Sequence, residues 1–367
     1  MTAADTKNER GTLNRTDEVA LESSISLARS YGQKELPRSR GDPPQLSLPL
    51  QTSSPGPAAR EHFSMRLPSF VVSDPMEFQI KCHLGYEVAE PASFLFNVAV
   101  AQNSFQRIIT EHLEVAGAES CQEMLIGGQR YHRTTAQRGP VELTYEAVVD
   151  ATHELLGDPS RLQVPLFEQI PAEAMVFIYP SRFCQSDLLA RLAKREFNQD
   201  ESGFYRVTRI CNWIFERVEY LFGITTPTTS AFDTATQLAG VCRDFAHLAI
   251  AFCRSLGIPA RFVSAYAYGL NPPDFHAYIE AFLGGRWILF DPTRLAPQSS
   301  FVRIGQGRDA ADTSFATIFG GAVMNKMELS MQPSTGQRNS PQYTTAPISN
   351  YPSTAQSEKR SGSAAGT

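Results

Sequence analysis

Cys242, His276 and Asp291 supply a sulfur nucleophile, a base and an orienting acid, the parts of a cysteine acyl-transfer site. Within 367 residues they follow one another closely, 34 residues (276 − 242) and then 15 residues (291 − 276) apart. A cysteine alone says little, because free cysteine is among the most buried residue types and usually packs rather than reacts. What distinguishes Cys242 is the setting that its neighbours predict.

Apolar residues at 242, 245, 246, 249, 252, 253 and 256 follow the three-and-four spacing of an amphipathic helix. Gly240 frees the turn before this helix, and Gly257 with Pro259 ends it. Cys242 is therefore expected in the first turn, where unpaired N–H groups and the positive end of the macrodipole favour a thiolate. Three strand-like segments follow, Arg261–Tyr268, Phe275–Leu283 and Arg286–Asp291, the last two joined by the hairpin signal Gly284-Gly285. A turn pairing Leu283 with Arg286 makes opposed residue numbers sum to 569 (283 + 286), so Tyr278 faces Asp291 and His276 faces Thr293. Asp291 is then the diagonal neighbour of His276 on one sheet face, at about 7–8 Å between backbones, which two side chains can span.

The neighbours of the triad have plainer readings. His247 lies about 140° around the helix from Cys242 and is expected to be structural. Asp244 complements the helix dipole or binds arginine, and Cys253, Trp213 and Trp287 belong to the core. An oxyanion site needs donors besides the Cys242 N–H; Gln237, five residues upstream, is one candidate, and the Tyr266 or Tyr268 hydroxyl another.

Four blocks in order carry a resemblance: Gly240-Val-Cys-Arg-Asp-Phe-Ala-His-Leu, Leu256-Gly-Ile-Pro-Ala-Arg-Phe-Val-Ser, Asp274-Phe-His-Ala-Tyr and Trp287-Ile-Leu-Phe-Asp-Pro-Thr-Arg-Leu. They resemble the core of the transglutaminase-like superfamily, in particular its bacterial branch of cysteine proteins. The resemblance implies an α+β fold, a papain-like core whose Cys-bearing helix packs on an antiparallel sheet carrying His and Asp. By matching position it makes Cys242 the nucleophile, His276 the base and Asp291 the orienting group. It also implies acyl transfer from peptide or glutamine-type amides through a thioester, with a peptide or protein as substrate. Hydrolysis by a peptidase or amidase is the expected outcome. Amine transfer by a protein-glutamine gamma-glutamyltransferase uses the same triad, and a catalytically silent binding module is the non-enzyme alternative. An arylamine acetyltransferase fits these blocks less well. No metal and no cofactor is implied, since the acidic Ca²⁺ loops of large animal transglutaminases have no counterpart here.

Composition narrows the rest. A net charge of −5 gives no hint of nucleic-acid or anionic-membrane binding, and no apolar run reaches a membrane span. The first residues lack a secretory pattern and the six cysteines lack close pairs, so a cytoplasmic location with reduced thiols is expected. Residues 1–64 read as a disordered extension, with a natural start near Met65 as the alternative. Residues 65–180 read as an all-β, sandwich-like domain with strands at Phe78–Tyr86, Ser93–Val100, Arg107–Val115, Val141–Val149 and Ala174–Tyr179. Residues 181–331 form the expected catalytic domain, opened by helices at Ser186–Glu196 and Gly203–Phe222, and 332–367 read as a disordered tail.

Overall fold

The two-residue alternation from Phe78 to Tyr86 becomes one wall of a β-sandwich. The computed structural model describes residues 70–197, 201–334, 341 and 343–350, so the expectations for residues 1–64, including the start near Met65, lie outside the described residues. The first part of the chain forms β1 (Phe70–Val72), β2 (Met76–Val88), β3 (Ala92–Phe96), β4 (Gln106–Ala116), β5 (Gln122–Ile126), β6 (Gln129–Ala136), β7 (Gly139–Ala151) and β8 (Glu154–Leu156). Inward-facing residues of β2 and β7, among them Phe78, Leu84, Val141 and Tyr145, leave water completely and meet Phe94 and Phe96 of β3 in one core. Alternation puts every second side chain there, which is why these strands are legible in the sequence.

The second part runs α1 (Ser186–Phe197), α2 (Gly203–Arg217), β9 (Glu219–Tyr220), α3 (Ala231–Gln237), β10 (Ala239–Gly240), α4 (Cys242–Ser255), β11 (Ala260–Ala267), β12 (Phe275–Leu283), β13 (Arg286–Phe290) and β14 (Phe301–Gly307). Every residue of α4 from Asp244 to Arg254 is buried. The helix is enclosed rather than merely amphipathic, packed by α1, α2 and the sheet strands β11 and β12. Burying Phe245 and Phe252 stabilises the fold by about 2–3 kcal/mol each. Arg254 can sit inside because its guanidinium donates to the carbonyls of Ala260, Tyr179 and Arg308 and to Ser181 Oγ.

The chain then returns to the sandwich as β15 (Ala316–Phe319) and β16 (Ala322–Pro333), and ends its described part in β17 (Ile348–Ser349). Two four-stranded sheets, β16-β2-β7-β4 and β15-β3-β6-β5, make the sandwich, and the sheet beneath α4 has seven strands in the order β1-β8-β17-β13-β12-β11-β14. Tyr266, Val302 and Ile304 of that sheet enter the sandwich core, and the Tyr266 hydroxyl donates to Val98 O at 2.8 Å. A buried ion cluster ties the same sheet together, with Glu280 between Arg261 and Arg303 and Asn350 also bonded to Arg303.

The α+β expectation holds, with four local differences. Ala174–Tyr179 is not a strand: Ala172–Met175 forms one helical turn and Val176–Ile178 a 3₁₀ turn, because Ala, Glu and Met after Pro171 favour a helix start. The second helix stops at Arg217 instead of Phe222, where Val218 and Tyr220 take extended backbone and β9 pairs with β10. Residues 316–331, expected within the catalytic domain, instead complete the sandwich through β15 and β16. Within the expected tail, Gln332 and Pro333 extend β16, and Ile348 pairs with Leu289 and Leu155. A Pro- and Ser-rich composition hides such a short strand, because only Ile348 of its buried residues is a large apolar side chain while Ser349 and Asn350 make polar contacts.

Candidate active site

The nucleophile's position begins with packing around Gly240. Asp244, fully buried, accepts the Val241 N–H on Oδ2 at 2.9 Å and the Arg243 guanidinium on Oδ1 at 3.0 Å, so it both caps the helix start and binds arginine. A Cβ at position 240 would stand 2.7 Å from Asp244 Cβ. Glycine is needed for that close approach and not, as the turn reading had it, for an unusual backbone angle, since Gly240 is not among the positive-φ glycines. Cys242 is the first residue of α4, half-buried, with Sγ 3.9 Å from the Phe275 carbonyl.

The hairpin brings the other two residues to it. Leu283 pairs with Arg286 and Ile279 with Phe290, the expected register (279 + 290 = 569). β13 stops at Phe290, leaving Asp291 just beyond the ladder, where Thr293 N–H and Oγ1 both donate to Oδ1 at 2.9 and 2.8 Å. Oδ2 then lies 3.0 Å from His276 Nε2, and both side chains are buried. The remaining ring nitrogen, Nδ1, is the one left for the Cys242 thiol, which lies near enough to favour the charged ring. Burial pushes His276 down, but the Asp291 carboxylate and Cys242 outweigh it and raise the imidazole to about 10. The site thus favours an imidazolium between a carboxylate and a sulfur.

The other thiols have no such partner. Burial pushes Cys82, Cys184 and Cys211 up to about 12, and Cys253 is raised well above the ordinary range, all of them core residues. Cys121 is exposed, and burial also raises its thiol. His247 accepts the Ala310 N–H on Nε2 at 3.1 Å and stacks between Phe183 and Phe262, the structural place expected for it.

The oxyanion candidates separate. Gln237 ends α3 with its side chain exposed, and none of the described hydrogen bonds joins it to Cys242. The Tyr266 hydroxyl is committed to Val98 O. The residue beside Cys242 is Tyr220, which sequence reading placed inside a helix; its phenol lies near enough to feel the Cys242 thiol and the Asp274 carboxyl. Alternation in Val218-Glu-Tyr220 was the signal that could have found it. Asp274, beside Phe275, adds a second carboxyl, which burial raises to about 6 while its Oδ1 accepts the Phe275 N–H at 2.7 Å. Among the described residues no group of three or more His, Cys, Asp or Glu is arranged to hold a metal, and no helix is long and apolar enough to cross a membrane.

A buried helix that presents a cysteine to a sheet-borne His–Asp pair, behind an all-β sandwich, is the architecture of transglutaminase-like proteins. Residues 190–292, which contain the whole triad, match the transglutaminase-like superfamily core, and residues 76–171 match the bacterial transglutaminase N-terminal domain. A crystal structure of a candidate cysteine protease from Cytophaga hutchinsonii is similar to the chain at 38% identity and a TM-score of 0.74, covering 77% of this chain and 99% of that one. The chain belongs to the transglutaminase-like superfamily. It is also 34% identical over 117 residues to the uncharacterized protein ML0607 of Mycobacterium leprae, covering 29% of this chain and 42% of the relative. A match to the uncharacterized protein Rv2569c of Mycobacterium tuberculosis is 35% identical over 115 residues, covering 27% of this chain and 36% of the relative. The chain thus spans less than half the length of these curated relatives.

Proposed function

We propose that the chain is a cysteine acyl-transfer enzyme that acts on peptide or glutamine-type amides through a thioester and releases the acyl group by hydrolysis. The observation that carries this reading is the buried His276–Asp291 pair at 3.0 Å, with the Cys242 thiol near the same ring. His276 takes the Cys242 proton, and the resulting imidazolium is held by Asp291. The thiolate attacks the amide carbon, the amine leaves with the proton from His276, and a thioester remains. His276, again a base, then activates water to hydrolyse it. The similarity to a candidate cysteine protease supports hydrolysis over transfer to an amine.

The test is mass spectrometry of wild type and Cys242→Ala after incubation with a glutamine-donor peptide mixture, with and without cadaverine. Cleaved or deamidated peptide from wild type alone is the expected result. A cadaverine adduct in place of hydrolysis assigns amine transfer. Products that are the same with Cys242→Ala, or none together with an unreactive Cys242, reject an enzyme of this kind.

A further inference from the structure

Acyl transfer at Cys242 requires two donors for the oxygen that gains charge, and the backbone N–H of Cys242, at a helix start, is only one. The wall opposite is built by a strand pair of two residues each. Tyr220 of β9 lies opposite Gly240 of β10 in a parallel register, and Leu221 N–H donates to Gly240 O at 3.0 Å. This fixes the Tyr220 backbone beside the residue that sits two places before the nucleophile. The ring is held between Phe245 of α4, at 5.6 Å, and Phe222, at 5.4 Å and edge to face. From that position the phenol is near enough to Cys242 for each to act on the other's charge, and no described carbonyl or carboxylate takes its proton in a hydrogen bond.

We propose that Tyr220 is a catalytic residue: its hydroxyl and the Cys242 backbone N–H together donate to the oxyanion formed when Cys242 Sγ attacks an acyl carbon. The inference rests on the acyl-transfer reading above and names a group that this reading lacks. As the Sγ–C bond forms, the carbonyl π pair moves onto oxygen, and both donors strengthen their hydrogen bonds without giving up a proton. When the pair returns, the C–N bond breaks and the amine leaves with the proton carried by His276. The same two donors serve the attack of water on the thioester. Burial, and then the nearby Cys242 and Asp274, raise the Tyr220 phenol above its ordinary range, so it stays an O–H donor at every working pH. Of the donors expected from sequence, exposed Gln237 and Tyr268, which packs against the sandwich core, have no described side-chain hydrogen bond to the site, and the Tyr266 proton is already given to Val98.

Tyr220→Phe keeps the ring contacts and removes only the donor. It is made in a Cys121→Ser background so that the one exposed thiol is silent. Three rates are compared with the same background: turnover of p-nitrophenyl acetate, inhibition by the aldehyde acetyl-Phe-glycinal, and alkylation of Cys242 by iodoacetamide. Loss of one oxyanion donor lowers kcat by about 10²–10³, leaves KM within about threefold, and weakens the aldehyde by a similar factor because its hemithioacetal oxygen needs the same donors. Alkylation, a displacement at a saturated carbon, makes no oxyanion and keeps its rate and pH profile. Alkylation that falls in step with kcat assigns Tyr220 to holding the sulfur and overturns the proposal. An unchanged kcat overturns it as well. Wild type that neither turns over nor binds the aldehyde rejects the acyl-transfer reading itself, and this inference with it.

Discussion

Asp291→Asn separates the charge of the orienting residue from its shape. In the native site Oδ1 takes the Thr293 N–H and Oγ1–H, and Oδ2 takes His276 Nε2. A backbone N–H can only donate, so an asparagine must turn its oxygen to Thr293 and its NH₂ to Nε2. That ring nitrogen then has to accept, which moves the proton to Nδ1 and withdraws the charge that holds the imidazolium. With the carboxylate gone, only Cys242 opposes burial, and His276 falls from about 10. Each unit of that fall removes about 1.4 kcal/mol of preference for the imidazolium. The wrong tautomer and the weakened imidazolium together are expected to lower kcat by roughly 10³–10⁴. The assay is iodoacetamide alkylation of Cys242 between pH 5 and 9, read by the mass of its peptide in the Cys121→Ser background. Native enzyme is expected to alkylate faster than the variant across this range, because a ring protonated on Nδ1 can no longer take the thiol proton. Superimposable profiles refute the reasoning.

Further outcomes follow from the same contacts. Gly240→Ala forces a Cβ to within 2.7 Å of Asp244 Cβ and displaces the cap on Val241; overpacking of this kind costs about 1–3 kcal/mol, and we expect at least a tenfold loss of activity by the same alkylation and turnover assays. Glu280→Gln leaves the Arg261 and Arg303 guanidinium groups buried beside a neutral amide and destabilises the fold by about 3–5 kcal/mol in urea unfolding; a loss under about 1 kcal/mol contradicts the cluster's role. The His276 pKa is raised on folding, so its stabilising contribution is fully present below pH 6.5 and is lost as pH rises through about 10. Urea midpoints should therefore fall across that window for the native protein and lack this component in Asp291→Asn. Iodoacetamide at neutral pH should label Cys242 in the native fold and spare Cys82, Cys184, Cys211 and Cys253, as peptide masses will show.

The parts of the fold that were legible in the sequence are those governed by local periodicity. The helix of Cys242, the strands β2, β7, β11 and β12 and the hairpin register all follow from spacing and from the Gly284-Gly285 turn, and the register brings His276 to Asp291. What periodicity misses is short or non-local. β9 and β10 have two residues each and pair across the whole of α3, so Tyr220 could not be joined to Cys242 from spacing, although only 22 residues (242 − 220) separate them. β15, β16 and β17 pair with strands more than a hundred residues away, β17 through only two residues, and composition does not encode such partners. Gly240 shows the difference in kind: the sequence marks the glycine, but the reason for it, the buried Asp244 behind it, is a tertiary contact.

The central claim is a covalent acyl group on Cys242. It is tested by acid-quenching the enzyme within milliseconds to seconds of mixing with p-nitrophenyl acetate and measuring the mass of the Cys242 peptide. The account predicts an acetyl adduct on that peptide that hydroxylamine removes, that is absent from Cys242→Ala, and that forms far more slowly in His276→Ala. p-Nitrophenol release from wild type with no adduct on Cys242, or at an equal rate from Cys242→Ala, contradicts it.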